Sequence, residues 1–402
     1  MLGALTNRSV VMLDAWQVFR QFFWLGCTSF GGPAAHIGYF RQHFVVQSSS
    51  ISEQRFADML ALSQFLPGPA SSQLGAAIGK DLAGWLGALA AFIGFTLPSV
   101  LLLMLFGSAW VWLADSAVIL ALKWLAMVVV ADAVWGMAKT FCRSGAQRWL
   151  AAWGGVFMLC LPSWQWGMLL FVAVWGAYRT PIDARVTAQA AAQTSAQTKA
   201  PNPLSSPLTA TLLLLFVVVL MWSWWGANGI GEQLVALFYR TGASVFGGGH
   251  VVLPLLQPEL VGQGLLGETQ FNAGYGIAQT LPGPLFSVAL LFAHGTGAGI
   301  GVAMLCLLAI FLPGFLLLFA LLNQWYWLQQ QPRLVSALAA VNAAVVGLLA
   351  ATWLSTLVPA GVHSLMTLLL ALLAFFWLQW QRSAKTVLLL AGLAVLYFWV
   401  FY

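Results

Sequence analysis

The tetrapeptide Leu-Pro-Gly-Pro occurs twice in this chain, at 66–69 and 281–284, each time within an otherwise apolar stretch. Proline has no backbone donor and clashes with the turn before it. Glycine between two prolines lets the chain change direction. A helix must break at such a sequence, leaving backbone amides and carbonyls free. The surroundings are not watery. Hydrophobic residues make up 61% of the 402 and charged residues 6%, against roughly 25% charge in a soluble domain. Sixteen Lys and Arg with 10 Asp and Glu cannot cover a soluble fold of this length, so lipid is the main solvent. Broken backbone at membrane depth is tolerated only where protein or a wet cavity surrounds it. The expected fold is an all-α polytopic membrane protein with Pro/Gly-broken helices at the midplane.

The breaks belong to a repeat. Residues 26–32 read GCTSFGG and residues 242–248 read GASVFGG, 216 positions on. Residues 64–69 read QFLPGP and residues 279–284 read QTLPGP, 215 positions on. At that second offset Gly84 matches Gly299, and Leu97-Pro98 matches Leu312-Pro313. Apolar segments fall near 16–44, 56–79, 83–113, 117–140, 149–161 and 164–178 in the first half. In the second they fall near 208–226, 233–256, 270–294, 297–322, 335–356, 361–380 and 386–402. If every segment crosses, about thirteen transmembrane segments result. The expected organisation is an N-terminal membrane half at 1–179, ending in a short hairpin at 149–178, and a C-terminal half at 208–402. Between them, 180–207 is rich in Ala, Gln, Thr and Pro and reads as a cytoplasmic linker.

Positive charge orients the chain. Lys139, Arg143 and Arg148 precede the hairpin; Arg179, Arg185 and Lys199 follow it; Arg382 and Lys385 mark a third basic loop. These loops are expected in the cytoplasm, with the N-terminus inside and the C-terminus outside. The extra segment 208–226 then starts the second copy on the other face. The copies are inverted, an arrangement of secondary transporters in which substrate binds at broken helices near the midplane. The N-terminus has no sustained apolar run before Asp14 and reads as uncleaved.

The repeated motifs suit an anion. Pro69 and Pro284 are placed to open a half-helix as its first residue. The amides of Ser71, Ser72 and Gln73, and of Phe286, Ser287 and Val288, would then form positive helix ends. The glycines of Gly31-Gly32-Pro33 and Gly247-Gly248-Gly249 can form anion nests; close helix packing is the competing reading. Arg41 and Arg240 lie near the motifs with a planar fork that suits an oxyanion, against interfacial snorkelling; Arg20 leans to snorkelling. His36, His250, Glu53 and Asp58 are proton-coupling candidates, the two acids competing with helix capping. Asp132 is an intramembrane functional candidate, or a partner for Lys139. His294 reads as a satisfied interior histidine, and Glu268 parallels the first-half acids.

Other chemistries lack their residues. The basic side chains stand singly at segment ends, unlike a nucleic-acid surface. Cys27, Cys142, Cys160 and Cys306 have neither zinc spacing nor a CxxC and read as small buried hydrophobes. There is no Walker motif, Rossmann fingerprint, haem ligand set or His/Asp metal cluster. Enzyme activity, a metal and a cofactor are not expected.

FFWLGCTSFGGPAAHIGYFR, QFLPGPASSQLGAAIG, FGGGH and QTLPGPLFSVA resemble the chromate ion transporter family in both halves, in its long two-domain form. The resemblance implies a proton-coupled exporter of chromate, with sulfate as a related oxyanion, in the inner membrane. It carries over onto Gly31, Gly32 and Pro33; Pro67, Gly68 and Pro69; Gly247, Gly248 and Gly249; and Pro282, Gly283 and Pro284. The second copy departs at Gly249, where the first has Pro33, and at Phe286, where the first has Ser71. A general oxyanion carrier and an anion channel are the alternatives. A homodimer in the bilayer is an expected assembly; nucleic acid is not an expected partner.

Overall fold

The computed structural model describes residues 13–30, 32–113, 117–178, 206–246, 249–329, 331–381 and 384–401; these form helices joined by short turns, with no strand among them. The first half comprises α1 (Ala15–Thr28), α2 (Gly32–Phe40) running into a π-helical turn (Arg41–Gln47), α3 (Glu53–Phe65), α4 (Ala70–Leu113), α5 (Ala117–Phe141), α6 (Gly145–Cys160) and α7 (Gln165–Tyr178). The second comprises α8 (Pro207–Trp225), α9 (Ile230–Ser244), α10 (Val252–Leu260), α11 (Glu268–Thr280), α12 (Val288–Gly295), α13 (Ile300–Leu321), α14 (Trp325–Gln329), α15 (Pro332–Thr352), α16 (Val358–Gly361), α17 (Leu365–Trp380) and α18 (Ala384–Phe401). Residues 180–205 of the expected linker lie outside the described residues, as do Arg179, Arg185, Lys199 and Arg382.

Segments that read as single rods are doubled back on themselves. In 16–44, Phe22 of α1 faces Phe40 and Phe44 of the returning arm, with ring centroids 5.4 and 5.1 Å away. In 56–79, Arg55 near the start of α3 binds Asp81 in α4, twelve residues past the break, through Nε–Oδ2 at 2.6 Å and Nη2–Oδ1 at 2.9 Å. In 270–294, Phe271 of α11 stacks on Phe292 of α12 at 4.6 Å. In 233–256 the break at Val245 separates α9 from α10. Hydropathy cannot report this reversal, because both arms are apolar; only the break residues carry it.

The 44-residue helix α4 is also two arms. Ala83 (φ −144°) and Gly84 (φ +64°) are not helical. The arms fold together so closely that a Cβ on Gly79 would lie 2.3 Å from the Gly87 carbonyl oxygen. In the second copy the same bend separates α12 from α13, and the positive φ falls on Gly297 rather than Gly299. The long arm of α4 runs antiparallel to α13. Trp85 meets Phe319 at 4.9 Å, and Phe92 meets Phe311 and Phe315 at 5.0 Å each.

The halves also exchange their outer helices. α6 and α7 of the first half pack on α15 of the second, and α17 and α18 of the second pack on α5 of the first. Trp124 on α5 donates its indole N–H to the Thr367 carbonyl at 3.0 Å. Lipid offers no hydrophobic drive for such contacts, so close approach at small residues supplies dispersion instead; Gly154 meets the backbone of Ala344 in this way. The cysteines depart from expectation: Cys306 is buried, Cys27 and Cys142 are partly buried and Cys160 is exposed, since the outer helices present side chains to lipid as well as to the core.

Candidate functional site where the helix breaks meet

The two Leu-Pro-Gly-Pro turns share one backbone. Leu66 and Leu281 are extended, with ψ 154° and 148°, and the glycines have φ +114° (Gly68) and +100° (Gly283). Only glycine takes that conformation without strain. The Gly68 amide donates to the Val245 carbonyl at 2.7 Å, and the Gly283 amide donates to the Ser29 carbonyl at 3.1 Å. Ser29 and Val245 are equivalent at the repeat offset. Each Leu-Pro-Gly-Pro turn is therefore tied to the Phe-Gly-Gly turn of the opposite half. The packing behind them repeats too. A Cβ on Gly26 would meet the Phe95 oxygen at 2.7 Å and Pro98 Cγ at 3.1 Å; one on Gly242 would meet the Ile310 oxygen at 2.0 Å and Pro313 Cγ at 3.0 Å.

Pro69 and Pro284 stand one position earlier than expected. Pro284 is extended (φ −72°, ψ 129°) and caps a 3-10 turn, and the Pro69 carbonyl accepts from the Gln73 amide at 2.9 Å. Proline's fixed φ suits a cap as well as a first helical residue. The open first-turn amides of α4 are thus those of Ala70, Ser71 and Ser72. The second copy is more closed: the Ser287 amide donates to Pro284, and that of Val288 to Leu285 and Phe286. Gln73, Ser287 and Val288 therefore do not offer the free amides expected of them.

The side chains around the turns differ between the copies. Ser99 and Ser287 share a hydroxyl–hydroxyl hydrogen bond of 2.8 Å beside Gly283. At the equivalent place beside Gly68, Gly314 replaces Ser99, and the Gln73 amide donates to the Gly314 carbonyl at 2.9 Å and the Pro67 carbonyl at 3.0 Å. His36 donates from Nε2 to the Ser29 carbonyl at 3.2 Å and sets its ring edge-on to Phe95. His250 lies in the 3-10 turn Gly249–Val251 of the second half, its Nδ1 2.8 Å from the Tyr275 hydroxyl and 3.3 Å from the Gln279 amide nitrogen. His36 and His250 are not equivalent at the repeat offset: Val252 matches His36, and Ala34 matches His250.

Several candidates lie away from this centre. Arg41 is half-exposed and its fork is taken up by Glu53, Nε–Oε1 2.8 Å and Nη2–Oε2 2.9 Å. The guanidinium holds the Glu53 carboxyl below its ordinary range. Asp58 accepts from Gln54 at 3.2 Å. Arg240 donates to the Ser223 carbonyl on α8 and lies 4.7 Å over the Trp224 ring; its Nε is buried without a partner. Asp132 accepts from Gln379 of α17 rather than from Lys139, whose ammonium sits over Trp135. His294 is exposed at the end of α12, not interior, because the helix stops there. Gly31, Gly247 and Gly248 lie outside the described residues, and so does the side chain of Pro33; Gly249 packs against Leu285.

Ser29, Thr96, Ser99, Tyr275 and Gln279 enter the site without having been singled out from the chain, and Gln73 enters through its side chain rather than the backbone amide expected of it. The repeat itself held the signal for three of them. Ser99 follows the repeated Leu-Pro pair, Ser29 stands inside the repeated GCTSFGG, and Gln279 opens the repeated QTLPGP.

Among the described residues, five helical stretches are long and apolar enough to cross a membrane, Ala70–Leu105 (bent at Gly84), Ala117–Phe141, Pro207–Trp225, Ile300–Leu321 and Pro332–Gly361. The class is a polytopic all-helical membrane protein whose broken helices converge from both halves. The chromate transporter family description matches residues 16–179 and 232–398, and the chain belongs to that family. It is 29% identical over 394 residues to the chromate transport protein of Pseudomonas aeruginosa, covering 94% of this chain and 91% of the relative. It is 26% identical to the chromate transport protein of Cupriavidus metallidurans, covering 94% and 92%. It is 25% identical to the probable chromate transport protein of Synechococcus elongatus, covering 95% of each. No solved structure matches.

Proposed function

We propose that this protein is a secondary transporter that exports chromate, with sulfate as a related oxyanion, across the cytoplasmic membrane. Coupling is to the proton gradient, and the halves alternate access as inverted repeats. Family membership supports chromate transport. The observation that carries the mechanism is the crossed pair of hydrogen bonds, Gly68 to Val245 and Gly283 to Ser29. It joins breaks of opposite halves at one centre, where a transporter of this architecture binds its substrate.

Helix lengths support a topology. Arms of 13–15 residues such as α1, α3, α9 and α11 rise about 20 Å. The hydrocarbon core is about 30 Å thick. On this reading such arms enter and return, giving four re-entrant hairpins whose tips meet near the midplane. The crossings are then the long arm of α4, α5, α8, α13, α15 (with its continuation through α16), α17 and α18; α6 and α7, at 16 and 14 residues, form a further hairpin that starts and ends on one face and leaves the parity unchanged. That odd number keeps the N-terminus in and the C-terminus out. It replaces a simple count of thirteen spans without changing either end. Export of an anion is favoured by an inside-negative potential, by about 2.3 kcal/mol per charge per 100 mV.

Chromate uptake into inverted vesicles tests the reading. Wild type is expected to show saturable uptake that collapses with an uncoupler. Gly283→Leu is expected to insert normally and lose uptake, since it strains a φ of +100° and drives a side chain into Ser99, 3.0 Å from the Cβ position. Uptake by Gly283→Leu at the wild-type rate would remove the helix breaks from the mechanism. High-conductance currents in place of saturable uptake would make the protein a channel.

A further inference from the structure

Besides Gln73 Oε1, whose side-chain amide is committed to the Pro67 and Gly314 carbonyls, four buried polar groups around the breaks have no hydrogen-bond partner among the described residues: Ser29 Oγ, His36 Nδ1, Ser72 Oγ and Thr96 Oγ1. Their residues are 0%, 1%, 2% and 4% exposed. Such a group, left alone, costs roughly ten- to a hundredfold in folding equilibrium. All four belong to the first copy. At their repeat equivalents stand Val245, Val252, Ser287 and Phe311, of which only Ser287 is polar, and Ser287 is already paired with Ser99.

Helix geometry brings three of them to one place. α2 and the short arm of α4 both lead away from their breaks. Phe40, one turn beyond His36, stands against Gly75, one turn beyond Ser71; a Cβ on Gly75 would lie 3.5 Å from the Phe40 ring. His36 is therefore level with the first turn of α4, where Ser72 and the open amides of residues 70–72 lie. Its Nε2 reaches the Ser29 carbonyl, which also receives the Gly283 amide. Hydroxyls, open amides and a helix N-terminus suit an oxyanion.

His36 adds a constraint of sign. A carbonyl only accepts, so Nε2 carries the hydrogen, and Nδ1 of the neutral ring is a lone pair. A lone pair cannot face an oxyanion without a proton between them. We propose that the oxyanion site is single, formed by Ser29, His36 and the first turn of α4, and that it binds the anion together with one proton held between His36 Nδ1 and an anion oxygen. This rests on the transport reading and makes it specific. The proton comes from solvent, the Nε2 hydrogen stays on the Ser29 carbonyl, and a dianion enters as a species of net charge −1. Potential then drives export, and an acidic exterior opposes it. On the elements around His36 the charged groups have other positions: Arg41 is bound to Glu53, Asp81 to Arg55, and Lys80 lies 4.3 Å over Trp85. His43 lies further along the π-helical turn, and Arg20 is exposed on α1.

Direct binding to the purified, reconstituted protein tests this, with sulfate and chromate as probes. Sulfate carries no proton of its own near neutral pH, so uptake measured with it falls on the protein. Wild type is expected to take up close to one proton per anion in weak buffer, and its sulfate affinity to fall close to tenfold per pH unit on the alkaline side. Ser29→Val, which copies the second half, is expected to weaken binding about 10- to 100-fold. His36→Gln is expected to abolish proton uptake while weaker binding persists. Sulfate affinity independent of pH in wild type, or undiminished proton uptake in His36→Gln, would overturn the proposal and leave the transporter reading standing. Binding of neither anion by wild type would overturn both.

Discussion

The two crossings of the breaks have one backbone and two interiors. At Gly68 and Val245 the side chains are committed or apolar: Gln73 bridges the Pro67 and Gly314 carbonyls, and Val252, Ile310 and Phe311 are buried. At Gly283 and Ser29 the corresponding residues are His36, Phe95 and Thr96, with Ser99 and Ser287 joined across the halves. Duplication kept what fixes the chain path, the glycine φ and the tip-to-tip bonds. It released what fills the space. A pair of matching hinges needs only the first property, whereas a binding site needs the second and needs it once.

The largest effect expected from exchanging the interiors is at Gln73. Gln73→Leu removes the donor to two carbonyls that are enclosed at the break. Gly314 lies inside α13 and keeps its helical partner, so the Pro67 carbonyl alone is left unsatisfied, and a loss of about 1–3 kcal/mol is expected, read as a lowered unfolding midpoint in detergent. The reciprocal change, Val288→Gln, places at the Gly283 crossing the amide that only the Gly68 crossing has; it is expected to abolish anion binding and, because Val288 is fully buried, to lower stability by about 1–3 kcal/mol. Equal stability of Gln73→Leu and wild type would show that the Gly68 crossing does not depend on this amide, and the contrast between the two interiors would lose its main support.

Much of the architecture is legible in the amino-acid sequence. The offsets of 215 and 216 found the right pairs: Gly26 with Gly242 and Pro98 with Pro313 make matching contacts. Reversal of the chain at Ser29 and Leu66 was not legible, because apolar arms read alike whether they cross or return. Arg41 and Glu53 stand in the sequence as separate candidates, yet they form one ion pair. Nothing in their twelve-residue separation announces a pair when a π-helical turn and a loop intervene. Partners drawn from the other half, such as Gly314 for Gln73 or Gln379 for Asp132, are set by inter-half packing. Spacing along one chain does not encode it.

A smaller effect is expected at the hydroxyl pair. Ser99→Gly copies Gly314, and Ser287→Ala removes the partner. Ser287→Ala deletes one neutral hydrogen bond, about 0.5–1.5 kcal/mol, whereas Ser99→Gly deletes that bond together with the one Ser99 Oγ donates to the Thr96 carbonyl. Transport is expected to slow a few-fold in each single variant, more in Ser99→Gly, and the double variant to be little worse than Ser99→Gly alone, because the pair is lost once. A double variant equal to the product of the two would mean that each hydroxyl acts on its own, and the bond between halves would cease to distinguish this crossing from the other.

The smallest effect separates the outer mouths of the hairpins. Arg41 pairs with Glu53 in the first copy, whereas Gln257 and Glu268 occupy the equivalent positions in the second. Arg41 holds the Glu53 carboxyl below its ordinary range. A carboxyl depressed in the folded state stabilises the fold above its unfolded value, and that contribution disappears as pH falls through the lower folded value. Both side chains are about half-exposed, at 50% and 59%, so salt screens the pair and its share is slight. Arg41→Gln is therefore expected to lower the unfolding midpoint a little at neutral pH and low salt. The difference from wild type should vanish both in acid and at high salt. Anion affinity should be unaffected throughout, since this fork is committed to a carboxylate at the mouth. A loss of sulfate binding in Arg41→Gln that survives high salt would bring Arg41 back to the site and make the mouths, not only the interiors, unequal in function.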